Sequence, residues 1–578
     1  MHFLPYDIEH HAGYPWQFVQ GRTCFLRLRC NEPVKEITIR FGDPFWFSGQ
    51  GEKLPVLEEQ PVLCTQRFLE DTFYSIAIPM QTHKLRYHFL IQLQDGTRAC
   101  LSEMGLTDEV SERQLRPFTV PYVFELEHYA APDWARDLIW YQIFPDRFSR
   151  ETEKAGFVPS RDNFYGGTLK GITAHIPYLS ALGVQGLYLN PIFSATSNHR
   201  YDTVDYASID RRLGSREDLR ELSETLHRNG MKLMLDGVFN HCGWDHPFWQ
   251  DVLQKGMGSP YCDWFYIHDM EALRGASRES FPPRRLREEC PFESFAFAAN
   301  MPKWNTENDR VIDYLTGCAE AWTREFQIDA WRLDVPDEVS MKFLREFRRR
   351  IRQSASDVYI IGEIWQDPAL WLSSAVFDGV MDYPLYYAVR DFAMTGMDDL
   401  ETFSRRIYRW YITAPETVHR YQWAFCSNHD IPRLLTECGG DMERVKEACF
   451  LTAVLGGNMG IYYGDVIGML GGEDPDNRRA MDWEHPDREI FRFYSALNQL
   501  KRSKLYGCKI MRISLKTAVT ITLKTPAGTN LLAVITEPGK RAALPALSGW
   551  TLVFGEAVQA DHTEIKSFAL FEETAAEQ

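Results

Sequence analysis

The amino-acid sequence predicts an α/β protein, a (β/α)8 TIM barrel flanked by two antiparallel β domains. Three observations carry this. Eight short apolar runs recur between residues 138 and 468. Amphipathic helical segments separate them, the pattern that a closed parallel sheet requires. The stretches before and after the runs alternate apolar and polar residues at the strand period.

Residues 1–122 read as a β-sandwich, because TCFLRLRC (23–30), VKEITIRF (34–41), FYSIAIPM (73–80) and LRYHFLIQL (85–93) are rich in β-branched and aromatic residues. HYAAPDWARD (128–137) reads as a linker into the region 123–496. Its eight runs begin LIWYQIFP (138–145), VQGLYLNPIF (184–193), MKLMLDGVFNH (231–241) and IDAWRLDVPDE (328–338). They continue VYIIGEIW (358–365), GVMDYPL (379–385), QWAFCSNHD (422–430) and MGIYYGDVIG (459–468). SREDLRELSETLHRNG (215–230) shows a helix start and a closing glycine. The interval between the third and fourth runs is too long for one helix and predicts a small inserted domain at about 242–305. From 497 the helical period fades, and ISLKTAVTITLKT (513–525) and TNLLAVITE (529–537) predict a C-terminal β domain over 497–578.

With a net charge of −17, the chain has no Lys/Arg surplus for DNA or an anionic bilayer. The arginines of PPRRLREE (282–289) and REFRRRIRQ (345–353) are interleaved with acids and read as solvated surface. Twelve scattered cysteines without a C-x-x-C read as reduced thiols in a cytoplasmic protein, Cys242 and Cys426 being small buried fillers. No signal peptide or spanning run is visible, so neither nucleic acid nor membrane is expected as a partner.

In such a barrel, polar residues at the C-terminal strand ends line the mouth. Here these are Asp236, Asn240 and His241 on the third run, Arg332 and Asp334 on the fourth, Glu363 on the fifth, and His429 and Asp430 on the seventh. Convergent carboxylates are what glycoside hydrolysis needs. Arg332, two residues before Asp334 and on the same strand face, is expected to lower its pKa and keep it ionised. Glu363, among Ile361, Ile364 and Trp365, has the apolar setting that keeps a proton donor protonated.

DGVFNH (236–241), WRLDVPDE (331–338), GEIW (362–365) and SNHD (427–430), in this order, resemble the α-amylase family of glycoside hydrolases. NHRYDTVDY (198–206) and YYGDVIGMLGG (462–472) look like further segments of that family, and ESFAFAANMPKWN (293–305) resembles the MPKLN signature of its cyclomaltodextrinase, neopullulanase and maltogenic amylase subgroup. The resemblance implies a retaining hydrolase of α-1,4 bonds in cyclodextrins, maltodextrins and pullulan, with some transglycosylation. It implies Asp334 as nucleophile, Glu363 as acid/base and Asp430 as transition-state stabiliser. Arg332 would orient Asp334, with Asp236 a structural carboxylate behind the site. His241 and His429 would bond the reacting sugar, Tyr201 would stack on it and His199 would lie beside it. Trp365 and Glu338 would serve the leaving-group or acceptor side. It implies a homodimer formed through the N-terminal domain and no cofactor for the chemistry. Trp304, Pro336, Asp337 and Asp382 depart from the usual residues, as does Thr168 in the loop 147–171, which binds structural calcium in some relatives. An α-1,6-glucosidase, a transferase, an open-cleft amylase and a non-catalytic sugar-binding relative remain alternatives on the same scaffold.

Overall fold

The computed structural model describes residues 8–31, 34–48, 54–108, 114–124, 128–150, 159–160, 163–559 and 562–574. All eight central runs form strands: β1 (Ile139–Ile143), β2 (Gly186–Leu189), β3 (Lys232–Gly237), β4 (Ala330–Leu333), β5 (Tyr359–Gly362), β6 (Gly379–Val380), β7 (Trp423–Phe425) and β8 (Asn458–Tyr462). Their order is β6-β5-β4-β3-β2-β1-β8-β7, every pairing is parallel, and a bridge between Met381 and Trp423 closes the ring. Every strand residue except Lys232 is buried, which is why the runs lack alternation.

Aromatic rings plug one end of the barrel. Trp140 lies 5.5 Å from Trp423 and 6.4 Å from Tyr359, centroid to centroid. Gly186 and Gly460 make room for them, since a Cβ at either would come within 2.3 Å of a tryptophan ring. Polar groups are therefore collected at the other end, where the strands finish. The helices between strands follow the sequence pattern. In Arg216–Arg228 the buried Leu219, Leu222 and Leu226 form one face, and Ser215 and Asp218 cap each other reciprocally.

Between β3 and β4 the chain makes an excursion with helices Pro247–Lys255, Met270–Leu273 and Pro283–Glu289. Bridges His241–Lys303 and Phe265–Trp304 tie it to the barrel mouth. Trp304 is fully buried there, stacked on Phe265 at 4.6 Å, its indole N–H donated to the Tyr206 hydroxyl. Asp382 caps helix Tyr383–Val389 and accepts the Trp410 indole N–H at 2.9 Å.

The N-terminal runs form strands Thr23–Cys30, Val34–Gly42, Asp71–Pro79 and Leu85–Leu93, distributed over two sheets. One of these sheets does not end with its domain. Its strand Leu63–Phe68 pairs in parallel with Lys509–Leu515, placing Arg67 beside Arg512, and the ladder continues through Val519–Lys524, Asn530–Ile535 and His562–Glu573. The last helix also reaches further than its apolar period suggests. It runs over Arg488–Leu500 and winds on to Leu505, so the C-terminal strands begin at Lys509. The period is broken by Lys501, which sits on the buried face and donates to the carbonyls of Ala453 and Gly456 at 3.0 Å.

Candidate active site

The acids at the barrel mouth are fixed first by backbone. The Asp334 N–H donates to the Gly237 carbonyl at 3.1 Å and the Glu363 N–H to the Leu333 carbonyl at 3.0 Å, extending the ladder beyond β4 and β5. Val335 follows in the left-handed region (φ 44°), an unfavourable conformation for a β-branched residue. It turns the chain sharply, and its N–H points at Glu363 Oε2 at 3.4 Å.

Arg332 is the hub. Its side chain is fully buried. Nη1 donates to Asp236 at 2.8 Å and to Asp334 Oδ1 at 2.8 Å, while Nη2 lies 2.7 Å from Glu363 Oε2. One guanidinium thus serves three carboxyl groups. The charge balance has a consequence for their protons. Burial raises the Asp334 carboxyl well above the usual carboxylate range, with Arg332 pulling it back down and Glu363 and Asp236 adding to the rise. Arg332 lowers the Asp334 pKa in the direction its strand position predicts, but desolvation, which the strand spacing does not show, is the larger influence. Burial likewise raises Glu363, to about 7, with Arg332 and the Trp365 hydrogen bond opposing it. Asp236 is raised by burial too, and accepts the hydroxyls of Tyr188 at 2.6 Å and Tyr201 at 2.9 Å.

A second network arrives from β7. Gln142 Nε2 donates to Asn190 Oδ1 at 3.1 Å and to His429 Nδ1 at 2.9 Å. His429 therefore carries its proton on Nε2, which faces the Tyr201 hydroxyl and, at 3.1 Å, Asp430 Oδ2. Burial pushes this imidazole far below its ordinary pKa and keeps it neutral. Arg478 holds Asp430 from the other side, donating to Oδ1 at 3.1 Å and to the His429 carbonyl at 2.8 Å. The Tyr201 ring lies parallel to His429 at 5.4 Å and near-parallel to His199 at 6.0 Å.

The remaining candidates surround this centre. His241 is buried against Phe295 at 5.1 Å, with Nε2 on the Tyr201 carbonyl and Nδ1 on Asn240, and burial lowers its pKa to about 4. His199 Nδ1 accepts the Tyr201 N–H at 3.1 Å. Trp365 donates its indole N–H to Glu363 Oε1 at 3.1 Å and stacks on Tyr383 at 4.1 Å, yet remains 40% exposed and open to a ligand. Glu338 accepts from Asn240 at 3.1 Å and Lys303 at 3.2 Å at the rim. Beside it, Asp337 accepts from Gln366 at 3.2 Å, linking the loops after β4 and β5.

Sequence reasoning missed Gln142, Tyr188, Asn190 and Arg478. Gln142 and Asn190 carried a signal, being amides inside the apolar runs LIWYQIFP and LYLNPIF. Arg478 lies in a loop and carried none. Among the described residues no group of three His, Cys, Asp or Glu has metal-holding geometry. Of the loop 147–171, residues 151–158 and 161–162 lie outside the described residues. Thr168 caps helix Leu169–Ala174, and Asn163 accepts from Arg147.

An acid poised near neutrality, a second carboxyl on the same guanidinium and a third carboxyl across from both equip an α/β barrel to break glycosidic bonds. The α-amylase catalytic-domain family matches residues 142–496. The chain is 37% identical over 490 residues to a maltogenic α-amylase of Bacillus acidopullulyticus, covering 82% of this chain and 81% of that one. It is 38% identical over 442 residues to neopullulanase 2 of Thermoactinomyces vulgaris, covering 74% and 73%. A solved cyclomaltodextrinase superposes with TM-score 0.85 at 30% identity, covering 98% of this chain and 99% of the other. The chain belongs to the α-amylase family, and it is a glycosidase of the type these relatives represent.

Proposed function

We propose that the enzyme hydrolyses α-1,4-glucosidic bonds of cyclodextrins, maltodextrins and pullulan with retention of configuration. The observation that carries this is the bridge from Arg332 to both Asp334 and Glu363. Bridging to one guanidinium keeps the two carboxyls close together, which favours retention, a mechanism that needs about 5–5.5 Å, over inversion, which needs about 6.5–9.5 Å. In the reacting form the proton that the coupled pair shares sits on Glu363, and Asp334, bonded by Arg332 Nη1, is the carboxylate. It attacks the anomeric carbon as Glu363 gives that proton to the glycosidic oxygen. Glu363 then takes a proton from water, which displaces Asp334 and releases the sugar. A sugar hydroxyl in place of water gives transglycosylation, and Glu338 and Trp365 flank the acceptor. Asp430, held by Arg478 and His429, bonds hydroxyls of the distorted ring, and Tyr201 offers it a flat face, with His199 and His241 bracing that side. The carboxyl pair supplies acid, base and nucleophile, so the chemistry itself requires no cofactor.

The enzyme works as a homodimer through the N-terminal domain. Phe45 and Trp46 are 71% and 55% exposed there, with Tyr122 and Phe124 also exposed. An aromatic patch of this kind marks an interaction surface. Twelve free cysteines fit a reducing cytoplasm.

The test is product analysis on β-cyclodextrin, pullulan and soluble starch at equal mass, with the product anomer read early by NMR. The expected result is rapid cyclodextrin opening, slow starch cleavage and α-anomeric products. Fast starch cleavage with cyclodextrin untouched, or β-products, would overturn the proposal.

A further inference from the structure

A groove of about 360 Å3 lies between helix Met442–Leu455, helix Arg488–Leu500 and strands Trp550–Gln559 and His562–Glu573. None of its lining residues belongs to the barrel mouth. Its floor is aromatic: Phe493, Phe554 and Phe568 line it, and Phe450 stacks beneath Phe568 at 4.6 Å and Phe554 at 6.1 Å. The presentation of Phe554 is built into the sheet. Register breaks between Leu552 and Phe554 and between Gly555 and Ala557 bracket it, and bulges of this sort re-aim a side chain. Gly555 adopts φ 88°, and a Cβ there would meet the Phe568 carbonyl oxygen at 2.3 Å, so the bend needs glycine.

The rim is ionic and balanced. Lys446 joins Glu443 and Glu489 at 3.1 Å each, Lys566 joins Glu443 at 3.7 Å and Glu556 at 3.4 Å, and Arg492 stands exposed beside them. Three acids against three cations select no charged ligand. They surround apolar rings with donors and acceptors, which suits a neutral polyol that has a C–H face and many hydroxyls.

We propose that this groove is a second, non-catalytic α-glucan site that takes a maltose-length segment, with sugar faces on Phe554 and Phe493 and hydroxyls on the Lys446, Lys566 and Glu443 heads. The identity of the ligand rests on the α-glucan reading of the barrel mouth. A chain held here keeps the substrate on the molecule between cleavage events.

The experiment is titration calorimetry of the full chain with maltoheptaose on an Asp334→Asn background, which leaves the catalytic cleft shaped but inactive. Two classes of site per chain are expected. Phe554→Ala should abolish the second class, and Arg492→Ala with Lys566→Ala, both at exposed positions, should weaken it about tenfold. In the otherwise wild-type enzyme these changes should leave maltotriose turnover within about twofold, since the groove lies outside the catalytic machinery. A single class that survives all of these substitutions would overturn the second site while leaving the catalytic reading intact. Absence of any binding would overturn both.

Discussion

Gln142→Glu isolates the role of a buried residue that acts through His429. In the wild type, Gln142 Nε2 donates to His429 Nδ1 at 2.9 Å, which leaves the His429 proton on Nε2 for Tyr201 and Asp430. A glutamate has no N–H to give and accepts from Nδ1 instead. The imidazole then carries its proton on the wrong nitrogen, and Nε2 turns from donor to acceptor against a carboxylate 3.1 Å away. The bond lost is one to a charged group in a buried setting, worth about 1.5–3 kcal/mol. That corresponds to roughly 10- to 150-fold in kcat/KM, since each 1.36 kcal/mol is about tenfold. Gln142→Leu leaves Nδ1 and Asn190 Oδ1 unpartnered without forcing the tautomer, so a smaller loss is expected. The assay is steady-state kinetics on maltotriose for wild type and both variants, with thermal unfolding to verify the fold. Equal losses in the two variants, or Gln142→Glu within about twofold of wild type, would refute the tautomer argument.

Two further outcomes follow from buried carboxyls. Glu363 must hold its proton to act as the acid, so kcat/KM falls as pH rises past about 7, and Glu363→Gln removes that limb while lowering turnover of natural glucans. An activated aryl maltoside, whose departure needs no proton, separates the two effects, and a limb that persists in Glu363→Gln contradicts the assignment. Glu447, buried on helix Met442–Leu455, is pushed up to about 8 by desolvation, with a Ser567 hydrogen bond opposing the shift. The folded chain holds a proton there that the unfolded chain releases from about 4.5 upward, so stability declines as pH rises between those values. Glu447→Gln should flatten that decline, gaining on the order of 3–5 kcal/mol relative to wild type at pH 8 and little at pH 4.5, read by chemical denaturation.

The barrel was readable because a parallel sheet buries both faces, so each strand is a continuous apolar run. A charged residue ending such a run stands out, which is how Asp236, Arg332, Asp334 and Glu363 came to notice. The sharing of Arg332 among three carboxyls was not readable, because it depends on the lateral register of β3, β4 and β5. Nor was the direction of the Asp334 shift, since neighbours along a strand show charge but not burial. Lys501 concealed the end of the last helix by placing a cation where the period calls for an apolar residue. Arg478 acts from a loop whose path no local pattern sets.

The parallel pairing of Arg67 with Arg512 has a temporal meaning. A chain made from its N-terminus completes the strand Leu63–Phe68 long before its neighbour Lys509–Leu515 exists. Throughout synthesis of the barrel that strand is an open sheet edge, with unmet N–H and carbonyl groups able to recruit a foreign strand. About 440 residues of chain separate it from the strand that closes it. The nascent protein is thus open to misassociation at this sheet until the strand Lys509–Leu515 emerges.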